Sequence, residues 1–213
     1  MLPGMAQFFS EEGGGAVYDS LVEYVESNGT NYVDTGVAAT SSCGFSVRTK
    51  IQTVTEGEFP VICGYESSDY SVWLTAYAYY IAGGSIVSAS TQAISCDASA
   101  DLVLDIGINY LDSYNIVVSS GGTNICQTPD LAGSHIGLPG ATICLFCAGT
   151  ESGPMDFSVS RIYEAKISVG SVIVKDLVPV RIGTTGYLYD QISGSILQTL
   201  GTGALACGPD VTS

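Results

Sequence analysis

Three kinds of residue in this sequence could do chemistry: aromatic rings at alternating positions, neighbouring carboxylates, and a Cys-x-x-Cys pair. In "DYSVWLTAYAYYIAGG", residues 69–84, Trp73, Thr75, Tyr77 and Tyr79 share one face of an extended chain, while Val72, Leu74, Ala76 and Ala78 share the other. A row of flat rings suits stacking on sugar faces. Tyr65, Asp69 and Tyr70, in the loop adjoining this row, would add a further ring surface and groups to orient hydroxyls. The same rings could instead fill a core or cover a sheet, so both readings stay open.

The carboxylates read differently. Glycoside hydrolysis needs two carboxyl groups flanking the scissile bond at a set separation. The nearest groupings here, Glu56 with Glu58 and Glu151 with Asp156, fall in stretches that read as loops. The single histidine, His135, lies in the Gly-rich "AGSHIGLPG", without the context a Ser-His-Asp hydrolase requires. No catalytic residue is assigned.

Cys144 and Cys147 form the Cys-x-x-Cys pair, but no second pair or His-rich partner accompanies it. On a continuous strand, residues i and i+3 point to opposite faces, so the two sulfurs are not expected to converge on one metal. Seven cysteines, an odd number in mostly apolar surroundings such as "FPVICGY" and "ATICLFCAG", read as free, buried thiols of a reducing compartment. No metal ligands are assigned and no cofactor is expected. No run has the dense acidic spacing of a dedicated calcium loop.

The charge balance excludes several partners. Six Lys and Arg stand against 21 Asp and Glu, a formal net charge of −15. Such a surface repels phosphate backbones, so nucleic acid and anionic membrane are poor partners. No run approaches the length of a membrane span, so membrane insertion is not expected. The opening "MLPGMAQFFSEEGGG" has neither a basic leader nor a long apolar core, and the expectation is a chain made without its own export signal.

These residues must be positioned by strands. Charged residues make up 13% of the chain, about half the usual share, and 26 Gly and 13 Tyr accompany abundant Ser and Thr. That mixture suits strands joined by tight turns. Residues 1–15 read as an arm ending in a triple-Gly hinge, with Phe8 and Phe9 as docking candidates, and 16–213 as one sandwich domain. "AVYDSLVEYVE", residues 16–26, fits a helical stripe or a strand, with a strand favoured in its second half. "CGFSVRTKIQTV" alternates, with Phe45, Val47 and Thr49 on one face. "DYSVWLTAYAYYIAGG" gives one long strand or two. Hairpins are expected to turn at Gly121-Gly122, Val169-Gly170 and Ser193-Gly194. Asn28-Gly29-Thr30 is formally a glycosylation acceptor, but it reads better as the Asn-Gly turn of a first hairpin. About a dozen short strands with no fixed-period repeat indicate an all-β, two-sheet antiparallel sandwich.

Three ordered blocks carry a resemblance. "YVESNGTNYVDTG" resembles the opening strand of laminin-G-like, concanavalin A-like jelly-roll domains found in bacteriophage and gut-bacterial proteins. "SRIYEAKISVGSVIVKDLVPV" is similar to that family's late strand and hairpin, and "GTTGYLYDQISGSILQTLGTGALACGP" to its closing hairpin. Together they span about residues 21 to 209. The resemblance implies a concanavalin A-like jelly roll, and some laminin-G-like domains bind calcium through loop carboxylates. Enzymes on this fold carry Glu-x-Asp-x-x-Glu on one strand, a motif absent here.

Because fold does not fix function, the resemblance leaves several settings. The leading expectation is a non-enzymatic phage virion surface protein: a capsid decoration, head fibre or tail fibre component. It would be assembled in the host cytoplasm, have other virion proteins or copies of itself as partners, and have a role in binding host-surface glycans. The alternative is a bacterial carbohydrate-binding or adhesion module on the cell surface. A glycoside hydrolase ranks third.

Overall fold

The computed structural model describes residues 17–40, 42–53, 61–66, 71–76, 81–85, 90–94, 104–109, 115–120, 123–127 and 140–212. Among the described residues every element is a strand, and every strand pairing is antiparallel. The strands form two sheets. The larger runs β11 (Thr123–Gln127), β10 (Asn115–Ser120), β9 (Leu104–Asn109), β4 (Cys43–Thr53), β13 (Val159–Val169), β14 (Val172–Ile182), β15 (Thr185–Asp190), β16 (Ser195–Leu197). The short β1 (Ser20–Leu21) adds to β14, and β2 (Val25–Glu26) lies between β13 and β18 (Ala206–Cys207). The smaller runs β17 (Thr199–Gly201), β3 (Asn31–Ala38), β12 (Thr142–Leu145), β5 (Val61–Glu66), β6 (Ser71–Ala76), β7 (Ile81–Ser85), β8 (Ser90–Ile94).

Strand alternation builds the core. On β4, Phe45, Val47, Thr49 and Ile51 are buried, whereas Ser46 is exposed and Arg48 and Lys50 are half-buried. Ile162, Ala165 and Ile167 of β13, Leu177 of β14 and Leu188 of β15 join the same face. Val33, Ile143, Leu145, Cys63 and Tyr65 of the smaller sheet join them in one apolar cluster, so the core lies between the sheets. Each fully buried aliphatic side chain of this kind contributes about 1.5–3 kcal/mol.

The expected turns fare unevenly. β13 and β14 turn at Gly170, whose φ is +60°, and β15 and β16 turn at Gly194, φ +69°. β10 and β11 pair with Ser120 opposite Thr123. "DYSVWLTAYAYYIAGG" holds two strands, β6 and β7, and residues 16–26 supply β1 and β2.

Asn28-Gly29 is not a hairpin turn. β2 belongs to the larger sheet and β3 to the smaller, so this segment crosses between sheets. Only Gly29 of the pair has positive φ, +83°, where the mirror-image hairpin turn needs two. Side chains set the crossing: the Gly29 amide donates to Ser27 Oγ, and the Thr30 amide to Asn28 Oδ1. Asn28 Nδ2 and Thr30 Oγ1 both donate to the Thr202 carbonyl, tying the crossing to the end of the chain.

Candidate ligand-binding face

Residues directly opposite in an antiparallel ladder share a face, so the register sorts the smaller sheet into rows. One row reads Val33, Leu145, Cys63, Leu74, Gly83, Gln92. Its first three members belong to the core cluster, which makes it the inner row. The adjacent row reads Asp34, Cys144, Gly64, Trp73, Gly84, Thr91, and alternation places it on the opposite, outer face. In this register Trp73 stands between Gly64, which is buried, and Gly84. Glu66 and Ser71 are paired in the next row on that face.

The sequence grouped Tyr65 with Trp73, and the register separates them. Tyr65 pairs with Val72, is 1% exposed, and packs in the core. Burial pushes its hydroxyl pKa up, with Cys43 nearby adding to the shift. Asp69, Tyr70, Tyr77 and Tyr79 lie outside the described residues, as do Glu56, Glu58, His135, Phe8 and Phe9.

Toward the β17 edge the same face carries a set that the sequence reading missed. Tyr32 and Asp34 alternate on β3, both half-buried, and Leu200 stands opposite Tyr32 with 37% of its surface exposed. Phe157 meets the Tyr32 ring edge-on, with centroids 6.0 Å apart. Asp34 Oδ1 accepts the Gly36 amide at 2.8 Å, which fixes the carboxylate beside the strand. Burial raises the Tyr32 pKa, and Cys144, Cys147 and Asp34 add to it, so the phenol stays protonated as a donor. The alternation in "NYVDTG" is the sequence signal for this set.

Between these two parts, the connection from β12 to β13 folds over the sheet. Ala148 and Met155 exchange backbone hydrogen bonds, the Phe146 amide donates to Ile62 O, and the Gly149 amide donates to Gly64 O. Val61, Cys144, Cys147 and Ala148 are thereby buried outside the main core cluster. A Cβ on Gly149 would stand 2.1 Å from the Thr142 carbonyl oxygen, so only glycine fits this fold-back. Among the described residues, the two non-glycine positions with positive φ, Phe146 at +69° and Asp156 at +53°, both lie in this connection. Glu151 and Asp156 are exposed on it.

Phe146 also corrects the geometry expected of the cysteines. β12 ends at Leu145, and the positive φ at Phe146 breaks the alternation. Cys147 is brought back within hydrogen-bonding reach of Cys144, and that bond, reinforced by burial, pushes the Cys147 thiol far up. The two thiols converge. No group of three or more His, Cys, Asp or Glu that could hold a metal occurs among the described residues. Cys43, Cys63, Cys144, Cys147 and Cys207 carry free thiols.

The larger sheet is built differently. All six basic residues of the chain fall on three adjacent strands: Arg48 and Lys50 on β4, Arg161 and Lys166 on β13, Lys175 and Arg181 on β14. Arg48 stands opposite Asp105 and Glu164. Arg161 pairs with Glu26 and lies 4.1 Å from the centroid of the Tyr24 ring. Lys166 reaches Glu164 at 2.7 Å, and Arg181 reaches Asp210 at 2.9 Å. Asp190, fully buried, accepts from Lys175 Nζ at 2.9 Å, Ser193 Oγ at 2.6 Å, and the Asp176 and Ile192 amides. Burial works to raise the Asp190 pKa, but these donors outweigh it and hold the carboxyl below its ordinary value.

No protein-family model and no curated protein matches this chain. Two of the solved structures it is similar to are these. A candidate carbohydrate-binding protein from Bacteroides ovatus ATCC 8483 superposes with a TM-score of 0.59 at 9% identity, over 91% of this chain and 62% of that one. Full-length tailspike protein 2 from Escherichia coli O157:H7 bacteriophage CAB120 gives a TM-score of 0.43 at 13% identity, over 76% of this chain and 27% of that one. The chain thus spans less than two thirds of the first protein's length and about a quarter of the second's.

Proposed function

We propose that this sandwich is a non-enzymatic glycan-binding module whose ligand lies on the outer face of the smaller sheet. One observation carries the reading: in the strand register Trp73 falls between Gly64 and Gly84, in the row that alternates with the core row. An indole flanked in its row by glycines offers a flat surface on which the face of a sugar ring can stack. Tyr32 and Asp34, on the same face, supply a phenol and a carboxylate to hydrogen-bond hydroxyls. The fold shared with the Bacteroides ovatus protein agrees with this use of the scaffold. Absence of a Glu-x-Asp-x-x-Glu strand, with Glu151 and Asp156 exposed on a connection, supports binding without hydrolysis.

The laminin-G-like resemblance supports display on a phage particle, where many copies would turn weak sites into avid ones. A bacterial surface adhesion module is the second reading, favoured by the same Bacteroides ovatus likeness. A glycan microarray probed with the native chain and with Trp73→Ala tests the function. The expected result is glycan binding that the substitution abolishes while the fold persists. Undiminished binding by the variant would remove this face from the account.

A further inference from the structure

We infer that the ligand of this face carries no negative charge: a neutral or amino-bearing oligosaccharide, with uronic, sialylated, sulfated and phosphorylated sugars rejected. The inference rests on the proposed binding face and adds its selectivity. Recognition of an acidic sugar depends on Arg or Lys, whose guanidinium or ammonium donors pair with carboxylate, sulfate or phosphate. This chain has six such residues, and every one is on β4, β13 or β14 of the larger sheet. Most are already engaged with carboxylates there: Arg161 with Glu26, Lys166 with Glu164, Lys175 with Asp190, Arg181 with Asp210.

The face around Trp73 has the opposite endowment. Asp34 is in its row, Glu66 is in the next row, and Glu151 and Asp156 are exposed on the connection that folds over β12 and β5. Carboxylates accept hydrogen bonds from sugar hydroxyls and pair with sugar ammonium groups, but they repel sugar carboxylates. The net charge of −15 adds a long-range field of the same sign. Selectivity therefore comes from unpaired repulsion as much as from contact.

The test compares matched ligands on native protein and on Asp34→Asn, by microarray and calorimetry at low and high salt. The matched set is a neutral oligosaccharide, its amino-sugar counterpart and its uronic acid counterpart. Acidic ligands should bind at least about tenfold more weakly than neutral ones at low salt. Amino ligands should bind more tightly, with an advantage that salt erodes, and Asp34→Asn should narrow both gaps. Equal or tighter binding of the uronic ligand would overturn the inference while leaving the binding face intact. Failure of native protein to bind any ligand would overturn the binding reading, and the inference with it.

Discussion

On β4 and β13, strand alternation lifts Arg48, Arg161 and Lys166 out of the core, and Asp105, Glu26 and Glu164 stand beside them. Across β3, β12, β5, β6 and β7, the same alternation yields Asp34, Cys144, Gly64, Trp73 and Gly84, a row with no base and two missing side chains. One face is knitted by ion pairs, and the other sets Trp73 in register between Gly64 and Gly84. A surface whose charges are internally satisfied offers little to a ligand. A surface of rings, glycines and acceptors offers stacking and hydrogen bonds. The difference sets an ion-paired larger sheet against a smaller sheet on which the proposed recognition rests.

The largest effect should come from the buried end of the ion-pair network. Asp190→Ala leaves Lys175, Ser193 and two amides without their acceptor, and should cost about 3 kcal/mol in urea unfolding. A loss within error of zero would mean that the larger sheet does not depend on its paired charges. The same carboxylate has a pH signature. Its folded pKa is depressed, so its stabilisation is present above the unfolded value near 3.9 and is lost as pH falls through the folded one. Native protein should therefore lose stability more steeply below about pH 4 than Asp190→Asn does; parallel acid limbs would refute this.

Next in size is the fold-back over the smaller sheet. Gly149→Ala forces a methyl against the Thr142 carbonyl and should destabilise by about 2 kcal/mol, measured by thermal unfolding. An unchanged melting temperature would show that the connection is not held as described. Tyr189→Asp on the larger sheet removes the edge-on pair with Tyr18, centroids 5.1 Å apart, and should cost about 1 kcal/mol or somewhat more. Smallest is Arg161→Gln, which loses a partly exposed ion pair and a contact with Tyr24. It should cost about 0.5–1 kcal/mol, shrinking as salt rises. A salt-independent loss would point to packing rather than charge.

Much of the architecture was legible because strand patterning is local. Phe45, Val47 and Thr49 declared their face two residues at a time, and glycines marked the turns at Gly170 and Gly194. What failed was non-local. Nothing in Asn28-Gly29 reveals that the strands on either side join different sheets; that depends on partners as distant as β13 and β12. The convergence of Cys144 and Cys147 hangs on one backbone angle at Phe146. The candidate row gathers residues from six strands, so its glycine flanks were invisible until the register was known. Tyr65 and Trp73 were both legible as aromatics on neighbouring strands, but only the register puts them in alternate rows, with Tyr65 inside the core.

The chain contains a single tryptophan, so its intrinsic fluorescence reports on Trp73 alone. Acrylamide quenching of native protein, with and without a neutral oligosaccharide, tests the central claim most directly. Native protein should give red-shifted, readily quenched emission that shifts to the blue and becomes protected in a saturable way as the sugar is added. Blue-shifted emission, shielded from acrylamide before any ligand is present and unchanged by it, would place the indole in the core and contradict the account.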